Sequence, residues 1–468
     1  MSKLHGGPLR QPAFRRLWLA QLISTFGDAL TSFSLILLIN QRTGSAAAIA
    51  TLAVFVALPD LAFGMLAGVL VDRHDRRRIM LASDLLRALL VLGLVVLQAA
   101  SSLWPLYALA FVQAGVGAFF APARGALVQR VVAEPERMSA NAMSESAVTL
   151  AEISGTAVAG LLVGLTGAFG LAFAIDAATF AISFGLVLGV RASSRDDISA
   201  VTSGVWASFI DGLQTIRRNP EIAALLAVMA AMFLGGAAVQ VLMVPLAIDV
   251  LRIPPQWTGF FSAGMVAGML LGSGGIASFG GRLRADRLIA GGLFLFALVI
   301  LGLGLITNAW LLLLVLCGFG AAQVILQVSF ATLVQNRIAN ELMGRVGGMF
   351  GTIAAAASLT SMAAAGVLAD TLGVQSVLRI AAALMAIAGV LAVLLIVERK
   401  QPGSLPRIEQ RPPPRSGHQS RRQQLGRTLP GLPRHFRSAN PGRWWRGREQ
   451  RCRAPRGANT SQRPRLRG

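Results

Sequence analysis

Twelve apolar runs of bilayer-crossing length limit what this chain can fold into more than any other feature. Six lie at about 16–40, 47–72, 79–98, 103–124, 139–166 and 168–190. After a polar stretch from Arg191 to Pro220, six more follow at about 221–249, 256–279, 286–306, 309–334, 346–370 and 374–397. A helix needs about 20 apolar residues to span the hydrocarbon core. Runs this long satisfy their backbone in lipid only as helices. With 54% of residues apolar and 14% charged, against about a quarter charged in soluble domains, the chain excludes an ordinary soluble enzyme. Cys317 lies in an apolar run and Cys452 in a polar tail, which gives neither a disulfide framework nor a metal site. The expected fold is an all-α membrane protein of twelve transmembrane helices in two pseudo-symmetric six-helix bundles. Residues 1–190 form the first bundle, 191–220 a cytoplasmic linker, 221–398 the second bundle and 399–468 a disordered arginine-rich tail.

The net charge of +22 divides unevenly, +5 over residues 1–398 and +17 over 399–468. The tail is too polar to order itself. Its arginines suit anionic lipid headgroups, and no nucleic-acid partner is expected. In the body, 20 of 24 basic residues fall on one side of the predicted spans, among them Arg15, Arg16, the Arg73–Arg78 cluster, Arg130, Arg217 and Arg287. Only Arg42, Arg252 and Arg379 fall on the other side, and Arg87 lies within a span. Basic residues accumulate on the cytoplasmic side. The chain is therefore expected to be a multi-pass protein of a bacterial inner membrane with both termini cytoplasmic, and a monomer.

The two halves share traces of duplication. Leu127-Val128-Gln129 recurs 206 positions later as Leu333-Val334-Gln335, and at the same offset Gly160 meets Gly366 and Gly167 meets Gly373. Spans two and eight both carry glycines four apart, Gly64/Gly68 and Gly264/Gly268/Gly272, a spacing that lets helix backbones approach closely. Paired halves of this kind recur in transporters, with the substrate site near the membrane midplane between them.

The connection between spans two and three reads Gly68-Val-Leu-Val-Asp72-Arg73-His-Asp75-Arg76-Arg77-Arg78. It resembles the G-x-x-x-D-R-x-G-R-R signature of the major facilitator superfamily, with Asp75 in place of a glycine. Phe14-Arg-Arg-Leu-Trp18, Gly27-Asp28, Thr43-Gly-Ser45, Pro122-Ala-Arg124 and Ala140-Asn-Ala142 are similar to its enterobactin-exporter and macrolide-efflux-like branch. The likeness covers about residues 12–397. It implies alternating access of two bundles about a central site, powered by proton antiport. It also implies a gating role for Gly68, Asp72, Arg73, Arg76 and Arg77. In the second half the signature has decayed to Gly280-Gly281-Arg282-Leu-Arg284.

An ionisable group at the bilayer centre calls for a reason. At 1.5 Å of rise per residue, Asp28, Asp60, Glu152 and Asp176 all fall about 18–20 Å from the cytoplasmic helix ends. Glu145 is shallower, at about 9 Å, and Arg87 lies about 13 Å in. Four acids cannot all stay ionised beside one guanidinium in a low dielectric, because burial and like-charge proximity both favour the neutral acid. At least one should bind and release a proton near neutral pH, as an antiporter requires. Asp28 and Glu152 are the leading candidates, because the resemblance places spans one and five beside the cavity. Asp60, next to Pro59, also suits a helix kink, and Asp176 a structural hydrogen bond. Arg87 follows Asp84 by three residues, the spacing of an in-helix ion pair.

Gln21, Gln240, Gln323 and Gln327, with Phe26 and Phe233, are candidates for the substrate wall; core or lipid-facing packing is the plainer role for the phenylalanines. No Walker A motif is present, so an ATP-driven mechanism has no support; the resemblance implies the proton gradient as the energy source, and no cofactor is expected. The reading is a secondary transporter, a proton-coupled exporter of a small amphipathic drug-like molecule or siderophore. Uptake of a lysophospholipid or metabolite, and a non-transporting sensor or scaffold, are the rivals.

Overall fold

The computed structural model describes residues 7–190, 220–279, 285–337 and 340–397. The linker, the tail and the Gly280–Arg284 segment lie outside them. Twelve helices are long and apolar enough to span a membrane. The first six are α1 (Pro12–Thr43), α2 (Ala46–Arg73), α3 (Arg76–Leu97), α4 (Trp104–Val131), α5 (Arg137–Thr166) and α6 (Phe169–Leu188). The seventh, α7, runs over Pro220–Gly236, resumes as Ala238–Pro245 and ends in a π-turn, Leu246–Val250. Helix α8 (Phe261–Phe279) follows a single turn at Pro255–Thr258. The last four are α9 (Ala285–Leu305), α10 (Ala309–Arg337), α11 (Asn340–Leu372) and α12 (Val374–Ala392).

The local sequence sets the ends. Ser45 caps α2 by accepting from the Ala48 amide. Asp75, at the position where the signature has glycine, caps α3 by accepting from the amides of Arg77 (2.9 Å) and Arg78 (3.4 Å). An aspartate at this point satisfies two of the four free amides of a helix start and favours the positive end of its dipole. The departure from the signature therefore fixes a two-residue turn.

The packing repeats with a period of six helices. In the first bundle α1 packs on α5 and α6, α3 on α4 and α6, and α2 on α4. In the second, α7 packs on α11 and α12, α9 on α10 and α12, and α8 on α10. The glycines that match at an offset of 206 occupy matching places. Gly167 (φ +65°) ends α5 and Gly373 (φ +84°) joins α11 to α12, both in a conformation that side chains resist. Gly160 of α5 faces the Gly259 backbone, where a Cβ would come within 2.8 Å of an amide nitrogen, and Gly366 of α11 faces Ala46 and Ala50 of α2.

Those two contacts join the bundles. With them, Asp370 of α11 accepts from the Ala46 (2.7 Å) and Ala47 (3.3 Å) amides at the start of α2 and from the Ser45 hydroxyl. Asn40 Nδ2 donates to Asp249 Oδ1 at 3.3 Å. These hydrogen bonds between the bundles all lie at the face carrying the α1–α2 turn.

The α8 glycines behave as their spacing predicts: Gly268 lies against the Cys317 carbonyl and Gly272 against Ala321, both of α10. The α2 pair does not. A Cβ at Gly64 or Gly68 would meet nothing within 4 Å. The spacing is shared by the two spans, and the close approach is made by one.

Candidate functional site

Two chambers meet between the helices. The first, about 560 Å³, is walled by α7, α8, α9, α10 and α11. Phe233, Gln240, Gln323, Gln327, Phe330 and Phe350 line it, and among the described residues no charged one does. The second, about 660 Å³, lies between α1 and α5 on one side and α8 and α10 on the other, and among the described residues Asp28 and Glu152 are its charged lining. Met265 and Gln323 belong to both walls, so the chambers adjoin. Of the residues expected at the substrate wall, Gln240, Gln323, Gln327 and Phe233 line the first chamber, and Gln323 lines the second as well.

Behind Asp28 lies a charged core. The Arg87 guanidinium of α3 pairs with Asp28 Oδ2 of α1. Its side chain is 8% exposed, against 32% for Asp28. The guanidinium carbon sits 4.2 Å from the centroid of the Phe180 ring and 5.9 Å from that of Phe120. A ring face attracts a cation, more strongly once water is excluded. Gln113 Nε2 lies 3.5 Å from the other oxygen of Asp28.

This corrects the expected pairing of Arg87 with Asp84. Asp84 is fully buried, and its Oδ2 accepts from the Ser183 hydroxyl of α6 at 2.7 Å. Arg87 is long enough to reach past its own helix to α1, where Asp28 offers a carboxylate that faces the cavity. Asp176 of α6 is also fully buried, with the Thr179 hydroxyl 3.1 Å from its Oδ1. It belongs to the interior of the bundle and borders neither chamber. Gly27 makes this possible, since a side chain there would collide with Asp176 and Thr179. Arg87 thus serves a core holding three carboxylates, one in contact with the cavity and two sealed.

Other expected site residues lie elsewhere. Gln21 is buried and sits 3.5 Å from the Ser144 carbonyl, joining α1 to α5. It lines neither chamber, because an amide on a helix–helix seam is held by the nearest backbone acceptor. Phe26 lines neither chamber, and its carbonyl packs on Gly155 of α5. Asp60 and Glu145 are exposed on α2 and α5 and border neither chamber. Of the gating signature, Arg73 is exposed. Arg77 donates to the last carbonyls of α6, to Val187 at 3.2 Å and Leu188 at 2.5 Å. A cation there complements the helix C-terminus, so Arg77 ties α3 to α6 within one bundle. The side chain of Asp72 lies outside the described residues. Sequence reasoning missed Ser183, Thr179 and Phe180, which support the charged core. The small residues of α6 gave no signal beyond their nearness to Asp176.

Comparison with known proteins agrees with this geometry. Residues 5–416 match the transmembrane secretion effector family of the major facilitator superfamily. The chain belongs to that family. It is 30% identical to the multidrug efflux pump Tap of Mycolicibacterium fortuitum over 414 residues, 84% of this chain and 97% of Tap. It is 26% identical to macrolide efflux protein A of Streptococcus pyogenes over 370 residues, 77% of this chain and 90% of that protein. The fold is similar to that of the nucleoside transporter NupG, with a TM-score of 0.67 at 12% identity over 83% of this chain and all of NupG. A bacterial homologue of the lysosomal transporter Spinster gives 0.66 at 15% identity over 86% of this chain and all of that one. The protein is a multi-pass bacterial membrane transporter of small molecules, and its relatives are transporters rather than enzymes.

Proposed function

We propose that this transmembrane secretion effector exports a drug-like molecule in exchange for protons by alternating access. Three features support this reading: the efflux relatives, the adjoining chambers, and above all a carboxylate that lines the cavity while paired to a buried guanidinium. The arginine bias assigns the α1–α2 face to the outside, so the conformation described is closed outward, and the chambers would load from the cytoplasm.

The proton acts at Asp28. When Asp28 takes a proton from the cavity it no longer holds Arg87, and a buried unpaired guanidinium is costly. The nearest alternative on the same helix is Asp84, one turn away. Arg87 then moves from a partner on α1 to one on α3 and frees α1, a wall of the second chamber. The pairing suggested by spacing alone thus becomes the second state of a two-state element, whose equilibrium the proton biases. The segment joining α2 to α3, with Gly68, Asp72, Arg73 and Arg76, closes the cytoplasmic face in the opposite state, and Arg77 anchors it to α6 in the present one. Neither a resident cofactor nor a second subunit enters this cycle.

Everted vesicles loaded through an imposed acid interior test the reading, with a macrolide as cargo, after the name of one efflux relative. Wild-type vesicles should accumulate drug and lose it when the gradient is collapsed. Asp28→Asn should lower gradient-driven accumulation at least about tenfold while the protein still folds and reaches the membrane. Accumulation indifferent to the gradient would refute proton exchange, and full accumulation by Asp28→Asn would remove Asp28 from it.

A further inference from the structure

The two chambers differ in a way that divides the work of recognition. The 560 Å³ chamber offers phenylalanines, methionines and neutral amides. The 660 Å³ chamber offers two carboxylates among Thr25, Ser32, Thr149 and Ser262. One of those carboxylates is already occupied, since Asp28 is neutralised by Arg87 and approached by Gln113. Glu152 is in a different position. It stands exposed on α5 toward the cavity, and among the described residues its carboxylate has neither an ion-pair nor a hydrogen-bond partner. Its helix neighbour Thr156 turns its hydroxyl to the Glu152 backbone carbonyl at 2.7 Å and not to the carboxylate. A free carboxylate in a polar chamber next to an uncharged aromatic one is complementary to a molecule with a cationic end and an apolar body.

We propose that Glu152 is the residue that reads cargo charge: it binds the cationic group of an amphipathic substrate whose apolar body occupies the chamber between α7, α10 and α11. This rests on the export reading above and assigns Asp28 and Glu152 different tasks, one exchanging the proton and the other selecting the cargo. Methionines such as Met232 and Met265, flexible and polarisable, let the apolar chamber fit bodies of different shape. Anionic cargo, a negatively charged siderophore included, is disfavoured by the same carboxylate.

The test compares binding of tetraphenylphosphonium, a permanent lipophilic cation, with binding of chloramphenicol, which is neutral, to the purified full-length protein. A carboxylate attracts a cation strongly once both are partly out of water, so the ratio of cation to neutral affinity should fall at least about tenfold in Glu152→Gln. Glu152→Asp should recover most of the ratio, which separates charge reading from packing. Asp28→Asn, expected to lower gradient-driven accumulation in vesicles at least about tenfold, should change the ratio less than threefold. A ratio unchanged by Glu152→Gln, an equal loss in Asp28→Asn, or wild-type protein that does not bind the cation would each overturn the proposal. The failure of proton coupling is read separately, as wild-type accumulation that ignores a collapsed gradient.

Discussion

The two bundles share one packing pattern and fill it with opposite chemistry. In the first, α1, α3 and α6 close around Asp28, Asp84, Arg87 and Asp176, with hydroxyls and the Phe180 ring as their partners. In the second, α8 and α10 cross with backbone against backbone at Gly268 and Gly320, and the chamber beside them is lined by phenylalanine, methionine and glutamine. The two halves make the same helix contacts and differ in their interiors. One half became ionisable and the other took up bulk. The proton-coupled exporter proposed above needs a group that responds to protons and a surface that accommodates cargo, and placing them apart would let the cargo vary without disturbing the proposed proton site.

The largest expected effect comes from unbalancing the charged interior. Arg87→Leu leaves Asp28 without its counter-charge, and breaking a buried pair from one side costs about 3–5 kcal/mol. The purified variant should unfold at a clearly lower temperature than wild type. Adding Asp28→Asn should recover most of the loss, because both charges are then gone, yet gradient-driven transport should stay absent. If Arg87→Leu alone melted with the wild type, the core would not depend on the pair, and the contrast between the bundles would fail.

A smaller effect separates the two glycine-spaced helices. Gly268→Ala drives a methyl into the Cys317 carbonyl of α10, and overpacking of this kind costs about 1–3 kcal/mol. Gly68→Ala on α2 meets open space and should be neutral or slightly stabilising, since alanine is the better helix former by up to about 1 kcal/mol. Thermal melting of the two purified variants checks the difference.

Much of this was legible in the sequence. Span number follows from hydropathy alone, because lipid allows the backbone no alternative to helices. Gly160, Gly167, Gly366 and Gly373 were visible as a repeat, and each occupies the place its counterpart implies. Gln323 and Gln327 were readable as sharing one helix face because of their i,i+4 spacing, and that face lines the first chamber. What could not be read was direction of reach. Asp84 and Arg87 are neighbours in sequence, but a long side chain can choose a partner on another helix, and the choice depends on how α1 rotates against α3. Gln21 was misread for the same reason: periodicity gives depth along a helix, and rotation about its axis decides between cavity and seam. Asp370 attracted no notice because it sits at a helix end, where a charge is unremarkable until its cross-bundle partner is known.

That carboxylate supports the last prediction, which asks whether the bundles meet by charge or by close packing. Asp370 caps a helix that is not its own: it accepts from the first amides of α2 while Gly366, one turn earlier, presses on Ala46 and Ala50. Helix-start carboxylates contribute about 0.5–2 kcal/mol. Here that energy is present only while the α1–α2 face is closed, because the cap and the capped helix belong to different bundles. Asp370→Asn keeps one acceptor oxygen and loses the charge, so it should shift the equilibrium toward opening at that face. In a background with Cys317 and Cys452 replaced by serine, a single cysteine at Ser262 reports the change, since Ser262 lines the second chamber. Its labelling by a membrane-impermeant maleimide from the α1–α2 side should rise several-fold in Asp370→Asn, with thermal stability close to wild type. Unchanged labelling would mean that the glycine contacts alone hold the seal. The first bundle's reliance on charge would then stop at its own interior and not extend to the surface it shares with the second.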